Sequence, residues 1–241
     1  SDQVGQLNAA ETMLNQGYTG LLVSPQTDTN LCPAVEKAES SDVLVLNVND
    51  AVLPGARQWV CPNQIQNGIT AAEYFIDNLP SGSEVAVIEG QAGVYAAKQR
   101  TAGFTTTAET GGLNVVASVP GDWDVQKARD AATTILCQYP NLKGFYCNND
   151  TMALGVAQAV NDANLRGKVM IIGTDGIEDA YTAIRNGDLT ATVDSYPNLT
   201  GQVAVDVALR ILGGQDVPRA VYTPQALITA ENVDDPAPTL D

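Results

Sequence analysis

The stretch Phe145–Gly155, Phe-Tyr-Cys-Asn-Asn-Asp-Thr-Met-Ala-Leu-Gly, combines the end of a strand, a polar turn and the start of a helix. The mostly apolar run 142–147 predicts a short buried strand. It stops at a polar turn in which either Asn149 or Asp150 is a suitable helix N-cap. Apolar residues then recur on one helical face, at Met152, Val156, Ala159 and Val160. Taken alone, the polar residues form only a turn and a cap, but ligands bind at the carboxyl ends of strands in open α/β sheets.

The same succession of strand, polar end and helix recurs along the chain. Further strands are predicted at 21–23, 43–46, 85–88, 115–119, 169–172 and 189–193, with a short extended segment at 59–61. Helical patterns fill most of the gaps, which are long enough for crossover connections. This alternation predicts an α/β fold of doubly wound parallel sheets with helices on both faces. A chain of 241 residues forms either one large domain or two lobes.

The composition argues against several classes of function. The chain has 28 acidic and 12 basic residues and a net charge of −16, which disfavours binding to nucleic acid or to an anionic membrane. It contains no histidine, the commonest general base and metal ligand. We find no nucleophile elbow, phosphate-binding loop or Cys-x-x-Cys pair, and no apolar run of the roughly 18 residues that span a bilayer. We therefore expect neither an enzyme nor a cofactor.

Four cysteines, Cys32, Cys61, Cys137 and Cys147, are too scattered for a zinc ribbon. An even number of cysteines fits two disulfides in an oxidising compartment, although four cysteines allow three pairings. We expect Cys32–Cys61 and Cys137–Cys147. Buried free thiols in a reducing cytosol are the alternative.

Most residues that follow the predicted strands are amides, carboxylates and hydroxyls, and no catalytic pair is among them. They are Asn49, Asp50, Gln91, Trp123, Asn149, Asp175, Ser195 and Tyr196, and Arg100 lies one or two turns into the helix after Gln91. Carboxylates, amides and the planar guanidinium group suit the adjacent hydroxyls of a neutral polyhydroxylated ligand. The indole of Trp123 suits the apolar C–H face of a sugar ring. For Asp50 and Asp175, a role in a turn or a helix cap is about as consistent with the sequence as a role in ligand binding.

Five segments resemble the periplasmic sugar-binding proteins of the ribose, allose and inositol type, which feed ABC transporters. In chain order, they are YAAKQRTAGF at 95–104, PGDWD at 120–124, NNDTMALG at 148–155, IGTDG at 172–176 and ATVD at 191–194. Each segment is weak alone, but five in register over nearly the whole chain are specific. Tyr95, which opens the first segment, joins the candidate ligand-binding residues.

The resemblance implies two similar α/β lobes joined by a three-strand hinge, as in type I periplasmic binding proteins. The lobes map to 1–61 with 196–226 and to 62–195 with 227–233, followed by a tail at 234–241. Arg100, Trp123, Asn149 and Asp175 would contact the sugar from one lobe. Ligand contacts with both lobes would then favour the closed state, which the transporter recognises.

Some features depart from the family. Asn49 falls where the family usually has aspartate, Asp50 where the ribose proteins have arginine, and Ser195 where many members have glutamine. The family also begins with a strand, a helix and a strand, roughly 30 residues or more, before the helix that opens this chain. We therefore expect the natural protein to be longer than this sequence and its first lobe to be incomplete here.

The sequence predicts a monomeric extracytoplasmic solute-binding protein, periplasmic or extracellular and possible as a lipid-anchored form. Its partners would be a monosaccharide or cyclic polyol and an ABC transporter permease, with no nucleic acid. Trp123 favours a pyranose or inositol over ribose, and a signalling furanone is another candidate ligand. The effector domain of a sugar-responsive repressor shares the fold, but no helix-turn-helix or basic face is visible. An enzyme on a doubly wound sheet is the third possibility.

Overall fold

The computed structural model describes residues 2–50 and 53–236. The strands are β1 (Gly20–Val23), β2 (Leu44–Val48), β3 (Gln58–Pro62), β4 (Glu84–Glu89), β5 (Asn114–Pro120), β6 (Gly144–Cys147), β7 (Met170–Asp175), β8 (Ala191–Asp194), β9 (Ala220–Thr223) and β10 (Ala226–Thr229). The helices are α1 (Gln3–Asn15), α2 (Cys32–Ser40), α3 (Gln64–Asn78), α4 (Tyr95–Thr110), α5 (Val125–Gln138), α6 (Asp150–Asp162), α7 (Glu178–Asn186) and α8 (Pro197–Leu212). Residues 237–241 of the predicted tail lie outside the described residues.

The chain forms two compact units, each with its own sheet. Unit 1 comprises Ser1–Pro62 and Pro197–Thr223, and unit 2 comprises Asn63–Tyr196 and Pro224–Asp241. The sheet of unit 1 has the order β1-β2-β3-β9 and is parallel throughout. The sheet of unit 2 has the order β10-β8-β7-β6-β4-β5, in which only β10 runs antiparallel to its neighbour. The predicted α/β fold with parallel sheets is confirmed.

The sheet of unit 2 is buried on both faces, as the apolar run in β6 predicts. Phe145 belongs to a core formed mainly with α5, α6 and α7. Tyr146, the next residue, points to the opposite core and stacks on Phe104 of α4 at 4.6 Å between ring centroids. Phe75 of α3 meets Phe104 edge to face. Alternation of side chains along one strand thus ties both helical layers to the sheet.

Unit 1 repeats this arrangement on a smaller scale. It has two cores. One includes residues of α1 and α2, and the other includes residues of α8. Val45 of β2 contributes to the first core and Leu46 to the second. Asp2 caps α1 by accepting the N–H of Gly5 at 2.7 Å. Among the described residues, no helix is long and apolar enough to cross a bilayer.

The disulfide prediction is wrong for this structure, because all four cysteines are free thiols. Cys137 is exposed near the end of α5, whereas Cys147 is buried in the core at the end of β6. Cys32 is only partly buried, and its predicted partner Cys61 is buried in β3. Burial, reinforced by the negative charge of Asp50, raises the pKa of Cys61 to about 11. Burial also raises the pKa of Cys147, so both buried thiols stay protonated at neutral pH.

Gly68→Ala is expected to lower the free energy of unfolding of unit 2 by roughly 2–3 kcal/mol. A Cβ atom at Gly68 in α3 would lie 2.0 Å from the carbonyl oxygen of Arg100 in α4, so the two helices would have to separate. The matched control is Gly201→Ala in α8, where a Cβ atom meets nothing within 4 Å. Helix propensity should make that control neutral or stabilising. Equal denaturant midpoints for Gly68→Ala and the unmodified protein would contradict the packing argument.

Candidate functional site

Five parallel strands of unit 2 end at the same edge of the sheet, where most of the candidate residues follow. The neighbours β7 and β8 end in register, with Asp175 opposite Asp194, and β4 and β6 end with Ile88 opposite Cys147. The candidates that follow these strands are Gln91 after β4, Trp123 after β5, Asn149 after β6, Asp175 at the end of β7, and Ser195 and Tyr196 after β8. The topology thus collects at one edge residues that are up to about one hundred positions apart in sequence.

Arg100 in α4 links the start of α3 to the ends of the two neighbouring strands β6 and β7. Its side chain is buried, and its Nε donates to Oε1 of Gln64 at 2.8 Å. Its Nη1 donates to the carbonyl oxygen of Asn148 at 2.5 Å and to Oδ1 of Asp175 at 3.0 Å. The side chain of Asp175 is 37% exposed, so this ion pair has one accessible member. Burial raises the pKa of Asp175, and the charge of Arg100 opposes that rise.

Asn148 and Gly90 are the residues directly after β6 and β4, and a hydrogen bond joins them. Oδ1 of Asn148 accepts the N–H of Gly90 at 3.0 Å and the hydroxyl of Thr101 at 3.1 Å. A Cβ atom at Gly90 would lie 2.1 Å from Cη2 of Trp123, so the indole rests directly on this glycine. Trp123 is half-buried and also packs against the core of α5 to α7. The indole is therefore held at the edge of the sheet while part of it stays accessible.

Asp150 lies behind Asp175 and is completely buried. Its Oδ2 accepts the N–H groups of Gly176 and Ile177 at 2.8 and 3.0 Å, and its Oδ1 accepts the hydroxyl of Thr192 at 2.7 Å. Burial, together with the negative charge of Asp175, raises the pKa of Asp150 to about 7 in spite of these bonds. Asp150 thus connects the start of α6 to β8 and to the segment after β7.

Of the two predicted caps, Asn149 is the N-cap of α6. Its side-chain oxygen accepts the N–H of Met152 at 3.0 Å. Asp150, the other alternative, is instead the first helical residue and points its carboxylate elsewhere. Asn149 is only half-buried, and capping uses its side-chain oxygen. Its side-chain NH₂ group therefore remains suited to donate to a ligand.

The two candidates after β8 differ in their surroundings. Ser195 is buried, and its hydroxyl oxygen lies 3.3 Å from the side-chain nitrogen of Asn67 in α3. Asn67 in turn donates to Gln64, which accepts from Arg100, so Ser195 belongs to the same polar network. The hydroxyl of Tyr196 donates to the carbonyl oxygen of Pro236 at 2.6 Å. The structure thus joins Ser195 to the Arg100 network and ties Tyr196 to the C-terminal segment.

The remaining predicted residues are at least partly exposed to solvent. Gln91 and Tyr95 are half-buried, and Tyr95 is the first residue of α4. Asn49 and Asp50 follow β2 in unit 1, where Asn49 is exposed and Asp50 is half-buried. The N–H of Asn49 donates to the carbonyl oxygen of Val60 at 2.8 Å, which fixes the turn to β3.

Four of the candidate residues have a backbone conformation that side chains rarely adopt. The φ angles are +67° at Asn49, +63° at Trp123, +126° at Asp175 and +44° at Tyr196. Such conformations cost on the order of 1–3 kcal/mol each and concentrate at functional sites. The φ of Asp175 is the most unusual of the four, because it lies well outside the left-handed helical region.

Sequence analysis did not identify the polar residues that support the site from behind. They are Gln64, Asn67, Asn148, Asp150 and Thr192, all of which are buried. Only Asn148 and Asp150 gave a signal, because they belong to the polar turn after β6. Gln64 and Asn67 lie in the first turns of α3, where a polar residue normally indicates a solvent-exposed face.

Two α/β units with polar residues at the carboxyl ends of the strands are typical of solute-binding proteins. The chain belongs to the periplasmic binding protein domain family, whose model matches residues 1–216. This confirms the resemblance found in the sequence.

Three individual proteins illustrate the similarity. The D-allose-binding periplasmic protein of Escherichia coli K12 is 38% identical over 206 residues, which cover 81% of this chain and 66% of that protein. A solute-binding protein of Actinobacillus succinogenes 130z, solved with bound D-allose, matches with a TM-score of 0.90 and 26% identity and covers 95% of this chain and 84% of that one. Another, from Bacillus halodurans C-125 with bound myo-inositol, matches with a TM-score of 0.90 and 25% identity over 97% and 82% of the two chains. These relatives are described as binding proteins rather than enzymes, and they give no support to the repressor alternative.

Proposed function

We propose that the protein is the extracytoplasmic sugar-binding component of an ABC importer and that its ligand is a monosaccharide or cyclic polyol. The observation that carries this proposal is the ion pair of Arg100 and Asp175 at the carboxyl edge of the sheet, with the accessible carboxylate beside buried donors. The family to which the chain belongs supports it.

The chemistry of this edge suits vicinal hydroxyl groups. An ionised carboxylate accepts two hydroxyl hydrogens, and a guanidinium group donates to hydroxyl oxygens in a fixed plane. Asn149 adds an amide, and the half-buried indole of Trp123 suits the C–H groups of a sugar ring. A phosphorylated ligand would instead need a net positive site, and here the charge of Arg100 is offset by that of Asp175.

A pyranose or a cyclic polyol is favoured over ribose, because Trp123 provides a broad stacking surface. The two solved relatives contain D-allose, an aldohexose, and myo-inositol, a cyclic polyol, and these are the first ligands to test. Asn49, Asp50 and Ser195 depart from the family pattern and are the positions at which ligand choice would differ. We further propose that Asn49 and Asp50 contact the sugar, as the resemblance implies.

The relatives also suggest where the protein acts. A periplasmic relative supports a periplasmic or extracellular location, with or without a lipid anchor. In this setting the protein would act as a monomer and present the loaded form to a permease. The net charge of −16 suits a highly soluble protein.

A thermal-shift panel of pentoses, hexoses, inositols and small polyols tests the proposal. A ligand at 100 times its Kd stabilises the native state by about 2.7 kcal/mol, which a thermal shift readily detects. D-allose and myo-inositol are expected to be among the compounds that raise the Tm. A flat response across the whole panel would contradict the sugar-binding function.

Trp123→Ala is expected to weaken sugar binding by roughly fivefold to tenfold, or at least about 1 kcal/mol, because the sugar would lose its stacking partner. Gly90→Ala should have a similar effect, because the added methyl group would displace the indole that rests on Gly90. Titration calorimetry on both variants and on the double variant checks this. Gly90→Ala should cost little further affinity when Trp123 is already alanine. Unchanged affinity in Trp123→Ala would exclude the stacking role.

A further inference from the structure

We propose that Asp150 is a positioning residue for the sugar: its buried carboxylate holds the segment 175–177 in the conformation that presents the Asp175 carboxylate to the ligand. This inference rests on the proposed function. It concerns a side chain that is completely buried and therefore does not itself reach a ligand in this structure.

The contacts of Asp150 converge on the backbone directly after Asp175. One carboxylate oxygen accepts the consecutive N–H groups of Gly176 and Ile177 at 2.8 and 3.0 Å. The other accepts the hydroxyl of Thr192 on the neighbouring strand β8 at 2.7 Å. Asp150 is also the first residue of α6, so the carboxylate is anchored to a helix terminus and to the sheet.

The segment that Asp150 holds has an unusual conformation. Asp175 has a φ of +126° and Gly176 a φ of +82°. A residue with a side chain rarely adopts the first of these angles, so the surrounding structure must impose it. Two charge-assisted bonds to the next two N–H groups are a direct means of doing so.

The chain also makes room for this carboxylate. A Cβ atom at Gly173 in β7 would lie 2.1 Å from Oδ1 of Asp150, so any larger residue there would displace the carboxylate. Asp150 has no cationic partner within hydrogen-bonding or ion-pair distance among the described residues. A buried carboxylate without a cationic partner is costly even with these three hydrogen bonds, which a role in packing alone does not explain.

The simplest alternative is that Asp150 only stabilises the fold. The two roles differ in how Asp150 and Asp175 depend on each other. If Asp150 acts through Asp175, its replacement affects sugar affinity only while the Asp175 carboxylate is present. If Asp150 only supports the fold, the effects of the two replacements are independent.

A double-mutant cycle with Asp150→Ala and Asp175→Ala makes this distinction, with binding of D-allose and myo-inositol measured by titration calorimetry. We expect Asp150→Ala to weaken binding at least tenfold, and at most twofold in the Asp175→Ala background. Asp150→Asn should bind within threefold of the unmodified protein, because its amide oxygen still accepts the two N–H groups and its amide nitrogen donates to Thr192. An Asp150→Ala variant that folds and binds like the unmodified protein would overturn the inference, as would equal losses in both backgrounds.

Amide hydrogen exchange of the unliganded protein provides a second, independent measurement. Exchange at Gly176 and Ile177 should accelerate in Asp150→Ala and stay slow in Asp150→Asn. If Asp150→Ala does not fold, Thr192→Val is the replacement variant, and we expect it to weaken sugar binding twofold to fivefold; unchanged affinity would count against the inference. If the unmodified protein binds neither sugar, the proposed function fails for these ligands. In that case, exchange at Gly176 and Ile177 that stays equally slow in Asp150→Ala would refute the positioning role separately.

Discussion

Arg100→Ala is expected to weaken sugar binding by at least 100-fold and to lower the free energy of unfolding of unit 2 by roughly 2–3 kcal/mol. The change removes three hydrogen bonds, to Gln64, Asn148 and Asp175. Hydrogen bonds to charged groups contribute roughly 1.5–3 kcal/mol each, and groups that lose a buried partner keep their desolvation penalty. A loss of about 2.7 kcal/mol corresponds to 100-fold in affinity.

The replacement also acts on the neighbouring carboxylate. Arg100 opposes the rise in the pKa of Asp175 that burial causes, so removing the guanidinium group should raise that pKa further. A larger fraction of Asp175 would then be protonated and unable to accept two sugar hydroxyls. The loss of affinity should therefore be larger at pH 5 than at pH 8.

Two variants serve as controls for Arg100→Ala. Arg100→Lys keeps the charge but cannot reproduce the planar fork, so it should give an intermediate loss. Arg129→Ala removes an exposed ion pair with Asp162 in the same unit and should change neither affinity nor stability by more than about 0.5 kcal/mol. Titration calorimetry and denaturant unfolding give both quantities. A folded Arg100→Ala variant with affinity within threefold of the unmodified protein would refute the role of Arg100.

The sequence predicted the α/β fold and most of the strands, because the alternation of apolar runs and helical patterns is a local property. It did not predict β9 and β10. Only two residues separate them, so no helical pattern marks them as two strands, and they belong to different sheets. Short strands at the edge of a sheet depend on pairing that the local sequence does not encode.

The candidate site was predicted in part for a related reason. Residues that follow a strand are easy to locate, and the structure joins Arg100 directly to Asp175 at the predicted edge. The buried polar residues behind them were missed, because Gln64 and Asn67 look like surface positions of a helix. The prediction of disulfides was wrong because the spacing of cysteines in the sequence carries no information on the direction of their side chains.

Asp150→Asn is expected to make the stability of unit 2 less sensitive to pH. In the unfolded chain the Asp150 carboxyl has an ordinary pKa near 3.8, and burial together with the charge of Asp175 raises it to about 7 in the fold. Between these values the native state binds more protons than the unfolded state, so raising the pH favours unfolding. The stabilising contribution of the protonated form is complete below about pH 4 and is lost as the pH rises to about 7.

The difference between 3.8 and about 7 corresponds to roughly 4 kcal/mol at 1.36 kcal/mol per pKa unit. An asparagine carries no charge, so the stability of Asp150→Asn relative to the unmodified protein should rise by roughly that amount from pH 4 to pH 8.

The other titratable groups around Asp150 are Asp175, Cys147 and Tyr181. Burial raises the pKa values of Cys147 and Tyr181 away from this range. Asp130→Asn on the exposed face of α5 is the control and should show no such trend. Denaturant unfolding at several pH values measures the difference. A constant stability difference across this range would mean that the fold does not raise the pKa of the Asp150 carboxyl above its value in the unfolded chain.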